Sequence, residues 1–210
     1  MTLTAIQTGK STRKAKGHGH LRRGEILKAA ERIFLRDGYQ GATIRKIAEE
    51  VGVSSTALYM HFRDKDEMLL EIVEGVITTL SEASAEIAAR PLDAVIRVRL
   101  IAESYIEFGF DNPNAYWLVY GSGGEMISQR HARVSQMSAR CFERFRATVG
   151  ELEADGRIAV GSTDLAAQII WSACHGLVSL RICRPNLAWE SQEDLMRGLL
   201  DSVLTGLLAG

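Results

Sequence analysis

The chain has 210 residues, 46% apolar and 24% charged, which fits one sizeable core or a small module joined to a larger one and excludes a disordered or fibrous chain. Three prolines and few turn clusters between long periodic stretches argue against a many-stranded β fold. No apolar run approaches the roughly 18 residues that span a bilayer.

The net charge of −1 conceals an asymmetry. Residues 1–65 carry six lysines and seven arginines against six acids, a balance of +7; residues 66–210 carry twelve arginines, no lysine and twenty acids, a balance of −8. A positive end on an acidic body is the pattern of a polyanion-binding module, the plainer alternative being charge scattered on solvated faces. The basic N-terminus lacks the apolar stretch of a secretory signal, so a cytoplasmic protein with no membrane partner is expected. Cys141, Cys174 and Cys183 are odd in number and have no C-x-x-C spacing, so they read as free thiols, with a redox sensor as the alternative.

Residues 1–20 have no apolar period and read as a basic arm whose Lys10, Arg13, Lys14 and Lys16 could reach a minor groove. From Arg22 the pattern changes: Ile26, Leu27, Ala30, Ile33 and Phe34 share one helical face, ended at Asp37-Gly38. Thr43 can cap a short helix that buries Ile44, Ile47, Ala48 and Val51; Gly52 stops it. Ser54 can cap the next, with Leu58 and Phe62 buried, and Asp64-x-x-Glu67 resembles a capping box that starts a fourth. Met68, Leu69, Ile72, Val73, Val76, Ile77 and Leu80 give that helix its apolar face. Breaks at Arg90-Pro91, Asn112-Pro113, Gly121 to Gly124, Asp155-Gly156 and Arg184-Pro185 bound further helices at about 92–109, 113–120, 126–155, 163–183 and 192–208. The expected fold is all-α: a flexible arm over 1–20, a three-helix helix-turn-helix domain over 21–80, and a helical ligand-binding and dimerisation domain over 81–210.

Residues 43–62, TIRKIAEEVGVSSTALYMHF, place two short helices about a glycine-containing turn, the spacing of a DNA-binding helix-turn-helix. Ala48 must be small where the second helix crosses, while Ser54, Ser55, Thr56, Ala57, Tyr59 and His61 remain outward, a polar face suited to the major groove. The run GVSSTALYMHFRDKDEMLL, preceded by ILKAAERIFLRDGYQGATIRKIAEE, resembles the N-terminal domain of TetR-family regulators over about residues 22–80. The resemblance implies that Thr43 and Lys65 hold phosphates, that Arg45 reads a guanine edge, that Ser54, Ser55 and Thr56 meet bases, and that Tyr59 and His61 contact the backbone. Ala57 and Met60 depart from the family pattern, which leaves those individual contacts open. The plainer readings are a solvated charge for Arg45 and Lys65, a half-buried ring for Tyr59 and an exposed helix-end imidazole for His61.

In the C-terminal part, Leu165, Ala166, Ile169, Ile170, Ala173, Leu177 and Leu180, and Leu195, Leu199, Leu200, Val203, Leu204, Leu207 and Leu208, give the last two helices stripes broad enough for both core and partner. Paired across two subunits they would make a four-helix homodimer interface, as in the resembled family. Gly176, Gly198 and Gly206 would permit close helix approach. Tyr105, Phe108, Tyr116, Trp117 and Tyr120 cluster about Asn112-Pro113, and Trp171 and His175 lie one turn apart in WSACHGLVSL, which resembles a Trp-x-x-x-His-Gly pattern of one TetR subgroup. These seven are the candidate effector-binding residues; core and interface packing is the alternative. In the family, an effector shifts the fourth helix and changes the separation of the two recognition helices.

The resemblance implies a ligand-responsive repressor that binds a double-stranded DNA operator as a homodimer. The second reading is a helical protein-binding adaptor with a vestigial DNA-binding head. An enzyme is disfavoured: adjacent Cys174 and His175 point about 100° apart on a helix, and no phosphate loop, HExxH or paired-carboxylate motif is present. No cofactor or metal is expected.

Overall fold

Side-chain oxygens set most of the helix starts in the computed structural model, which describes residues 19–121 and 132–208. The arm cations Lys10, Arg13, Lys14 and Lys16, and the opening of the helix expected from residue 126, lie outside the described residues. Helix α1 (Gly19–Gly41) is broken at Gly38, whose φ of 69° is the left-handed conformation a glycine tolerates. Thr43 accepts from Lys46 N–H to start α2 (Ile44–Val51), and Ser54 accepts from Ala57 N–H to start α3 (Ser55–Tyr59). Between them Gly52, at φ 72°, donates back to the carbonyls of Ala48 and Glu49.

Asp64 caps α4 (Lys65–Ala88) through Glu67 N–H, and the Glu67 carboxylate reaches back to Arg63 N–H at 2.6 Å. The remaining helices are α5 (Ala94–Asp111), α6 (Pro113–Tyr120), α7 (Ala132–Ala154), α8 (Thr163–Cys183) and α9 (Gln192–Leu207). Asp93, Ser162 and Ser191 cap α5, α8 and α9 in the same way. Among the described residues the only sheet-like pairing is a lone bridge between Ile158 and Leu208.

Two apolar clusters organise the chain. The first joins α1, α2 and α3 to the front of α4 through Ile26, Ile33, Ile47, Leu58, Phe62 and Met68, and takes in Leu118 of α6 and Val134 of α7. The second holds α5, α7, α8 and α9 together around Val98, Ile106, Val149, Ile170, Val178 and Leu200. Helix α4 runs from one to the other: Val73 and Ile77 belong to the first cluster, Ile87 to the second. Residue 80, the expected domain boundary, falls inside this helix.

The close helix contact within the body is made at Gly109, where a Cβ would stand 2.5 Å from Val178 Cγ1; Gly176, Gly198 and Gly206 have no neighbour within 4 Å inside this chain. One expectation is corrected here: helix α8 is, by length and composition alone, long and apolar enough to cross a bilayer. Polar residues such as Gln168, Ser172 and His175 interrupt it, so no continuous run stood out. Its inner face, Ala166, Ala167, Ile170, Cys174 and Val178, is buried in the body core, while Leu165, Ile169 and Leu180 form an exposed stripe.

Candidate nucleic-acid interface and internal cavity

The outward face of α3 is built by what its inner face must do. Leu58 and Phe62 are fully buried, so Thr56, Ala57, Tyr59 and Met60 are turned outward, Tyr59 at 56% and Met60 at 83% exposure. Tyr59 is therefore no half-buried closing ring. The helix ends at Tyr59, and Met60-His61 form a turn that returns Phe62 to the core. Ser55 and His61 are half-buried at the edge of this face.

Arg23, which the sequence reading passed over, fixes that turn. Its guanidinium donates to the His61 carbonyl and in a fork to Glu71, and lies 3.9 Å over the Phe62 ring. One side chain from α1 thus ties the end of α3 to α4. Its pKa is raised chiefly by the bond to Glu71.

The start of α2 forms a second polar corner. Thr43 Oγ1 accepts from Lys46 N–H at 3.2 Å, which leaves its own O–H to donate. Lys65 Nζ donates to the carbonyls of Tyr39 at 2.7 Å and Ala42 at 3.0 Å and lies 4.2 Å over the Tyr39 ring. Lys65 is therefore half-buried, tying α4 to the end of α1 and holding its ammonium one residue from Thr43. Arg45 is exposed and pairs with Glu49 at 2.8 Å; such an exposed pair is worth about 0–1 kcal/mol, so it can be exchanged for a nucleic-acid contact at little cost.

The body contains a cavity of about 500 Å³ walled by α4 to α8. Of the seven residues expected at an effector site, Tyr105, Tyr120, Trp171 and His175 line it. Tyr116 lies behind the wall, fully buried, with its hydroxyl 2.6 Å from His175 Nδ1 and 3.0 Å from the Tyr105 hydroxyl. Phe108 and Trp117 are not among the lining residues. Phe108 packs with Val76, Leu80 and Ala115, and Trp117 lies against Gly121.

Sequence reasoning missed Phe142, Phe145 and Ser84 in that wall. Ser84 was legible in principle, since it occupies an apolar-face position between Leu80 and Ile87 on α4. Burial sets the chemistry of the lining: desolvation pushes the Tyr116 phenol up to about 12, raises those of Tyr105 and Tyr120, and lowers the His175 imidazole. The Cys174 thiol is likewise pushed up to about 12 and that of Cys141 is raised, which opposes the thiolate a redox sensor needs.

A pair of capped helices about a glycine turn, set on a helical body, defines the class of helix-turn-helix DNA-binding regulators. Two family descriptions match: "Bacterial regulatory proteins, tetR family" over residues 26–72 and "Tetracyclin repressor-like, C-terminal domain" over residues 98–203. The chain belongs to the TetR family of DNA-binding transcriptional regulators, and its function is regulation rather than catalysis. The nucleoid occlusion factor SlmA of Escherichia coli O1:K1 / APEC is 32% identical over 181 residues, covering 82% of this chain and 88% of that protein. SlmA of Edwardsiella ictaluri is 32% identical over 166 residues, 75% of this chain and 81% of that protein.

Among solved structures, the ketosteroid transcriptional regulator KstR2 of Mycobacterium tuberculosis superposes with a TM-score of 0.76 at 21% identity, over 90% of this chain and 96% of that one. The TetR-family regulator PfmR of Thermus thermophilus gives 0.73 at 23% identity, over 86% and 97%. At those identities the likeness speaks for the fold.

Proposed function

We propose that this chain is a cytoplasmic, ligand-responsive repressor that binds a palindromic operator as a homodimer. The observation that carries the reading is the division of α3: Leu58 and the Phe62 just beyond the helix are locked in the head core, and the face left outward is hydroxyl-rich and carries no acid. On this reading Ser54, Ser55 and Thr56 meet base edges, Tyr59 and His61 reach the flanking backbone, and Arg45 reads a guanine. Thr43 O–H and the remaining Lys65 proton hold a phosphate at the positive end of α2.

The exposed stripe of Leu165, Ile169 and Leu180 on α8, beside α9, supports dimerisation through the last two helices. A dimer would set its recognition helices in successive major grooves, about 34–36 Å apart. The cavity beneath α4 supports effector binding, with Tyr105, Tyr120, Trp171 and His175 in its wall.

Mobility shifts across a salt series test the assignment of Arg45. Arg45→Ala should relax preference at one base position while leaving affinity for random DNA nearly unchanged. Equal losses on operator and random DNA would overturn it. Lys65 is the poorer probe, because its replacement also frees the Tyr39 and Ala42 carbonyls.

The second reading is a role like that of the SlmA relatives in nucleoid occlusion, supported by 32% identity over 88% of that protein. A genome-wide binding map separates the two: an operator-specific repressor occupies few sites, an occlusion factor many across the nucleoid.

A further inference from the structure

Among the described residues that line the cavity there is no lysine, arginine, aspartate or glutamate. Among those residues the one imidazole is that of His175, and its burial favours the neutral ring. Against these residues a carboxylate, phosphate or ammonium would give up hydration without a countercharge in return. Phe142, Phe145, Ile101, Ile170 and Trp171 offer apolar contact instead.

The polar groups form one chain: the Tyr116 hydroxyl lies 2.6 Å from His175 Nδ1 and 3.0 Å from the Tyr105 hydroxyl, and His175 Nε2 lies 3.3 Å from Ser179 Oγ. The tautomer of the imidazole sets the direction of donation along it. Tyr105, which lines the cavity, ends the chain with a hydroxyl that can donate or accept. The second polar point is Ser84 on α4. It lines the cavity, is 5% exposed, and its buried Oγ has no hydrogen-bond partner among the described residues. Buried hydroxyls are rarely left unpaired, so an unpaired one in a cavity wall marks where a ligand's polar group belongs.

We infer that the effector is an uncharged, largely apolar molecule carrying one hydroxyl for Tyr105 and a second polar group for Ser84. This rests on the effector reading above and narrows it to a chemical class. Ser84 gives the ligand a direct hold on α4, and Val73 and Val134, also in the wall, belong to the head cluster that seats Phe62. The ligand therefore touches the packing that positions the recognition helix.

Calorimetry on the full chain at pH 7.5 tests this with 4-hexylphenol, neutral at that pH, against 4-hexylbenzoate, its anionic counterpart. The phenol should bind at least tenfold more tightly. Comparable or tighter binding of the benzoate overturns the uncharged class. A series of 4-(ω-hydroxyalkyl)phenols then tests Ser84: at one chain length the added hydroxyl should improve affinity about fivefold over the plain alkylphenol, and Ser84→Ala should erase that gain. Ser84→Ala should also raise the melting temperature of the ligand-free protein, a check that the variant is folded. No gain at any length, or a gain that survives in Ser84→Ala, overturns the Ser84 assignment. Failure of every probe to bind overturns the effector reading itself, an outcome distinct from binding in the wrong order.

Discussion

Replacing Arg23 with methionine should loosen the far end of the recognition helix by an amount the contacts allow to be worked out. Methionine keeps most of the apolar stem and removes the fork. The lost ion pair with Glu71 is about one third exposed on each side, which limits it to about 0–1 kcal/mol. The contact over the Phe62 ring adds about 0.5–1 kcal/mol at such a site. The charge-assisted bond to the His61 carbonyl adds roughly 1 kcal/mol, since water can reach part of the vacated space. The total is about 2 kcal/mol. For a chain of this length it lowers the melting temperature by about 4–8 °C, read at one fixed protein concentration because a dimer's transition depends on it. Glu71→Gln keeps the His61 and Phe62 contacts and should cost less than half as much. A melting temperature for Arg23→Met within about 2 °C of the parent, or equal losses from both variants, would refute the idea that Arg23 acts mainly on the end of α3.

Gly52→Ala places a β-carbon at φ 72° and should cost about 1 kcal/mol in stability and weaken DNA binding, read by urea unfolding and fluorescence anisotropy; an unchanged midpoint would contradict the turn geometry. Ile169→Glu puts a charge in the exposed stripe of α8 and should convert the dimer to monomer in sedimentation velocity without lowering helicity, whereas an intact dimer would place the interface elsewhere. Burial depresses the His175 pKa, so on acidification the unfolded chain takes up that proton first, and His175 lowers stability as the pH falls through about 6.5 while costing nothing well above it. The melting temperature of His175→Gln should therefore fall less than the parent's between pH 7.5 and 5.5; parallel slopes would show that His175 takes no part.

Local rules carried much of the fold. Thr43, Ser54 and Asp64 cap as their spacing requires, because capping depends on residues three apart. Gly52 and Gly38 adopt positive φ where a turn needed one. What the sequence hid are contacts between distant positions. Arg23 reaches Glu71 across 48 residues, and nothing in the period of α1 distinguishes it from Arg22, which pairs locally with Glu25. Lys65 is the same kind of case: a cation at a helix start reads as a free phosphate ligand until the chain brings the Tyr39 and Ala42 carbonyls to it.

The cavity was half legible. Tyr105 and Tyr120 were drawn from aromatic clustering and Trp171 and His175 from the pattern in WSACHGLVSL, but Phe142 and Phe145 lie on a helix with neither signal and face inward only because α7 packs against α4, α5 and α8.

Sequencing the genomic fragments retained by the purified protein and by Thr56→Ala probes the recognition face most directly. Thr56 is exposed, so the change leaves the head core intact. The parent should enrich a few fragments that share an inverted repeat, and Thr56→Ala should lose or alter that preference at symmetric positions. Identical enrichment by both proteins, or no enrichment by the parent, would contradict the assignment of α3 as the helix that reads DNA.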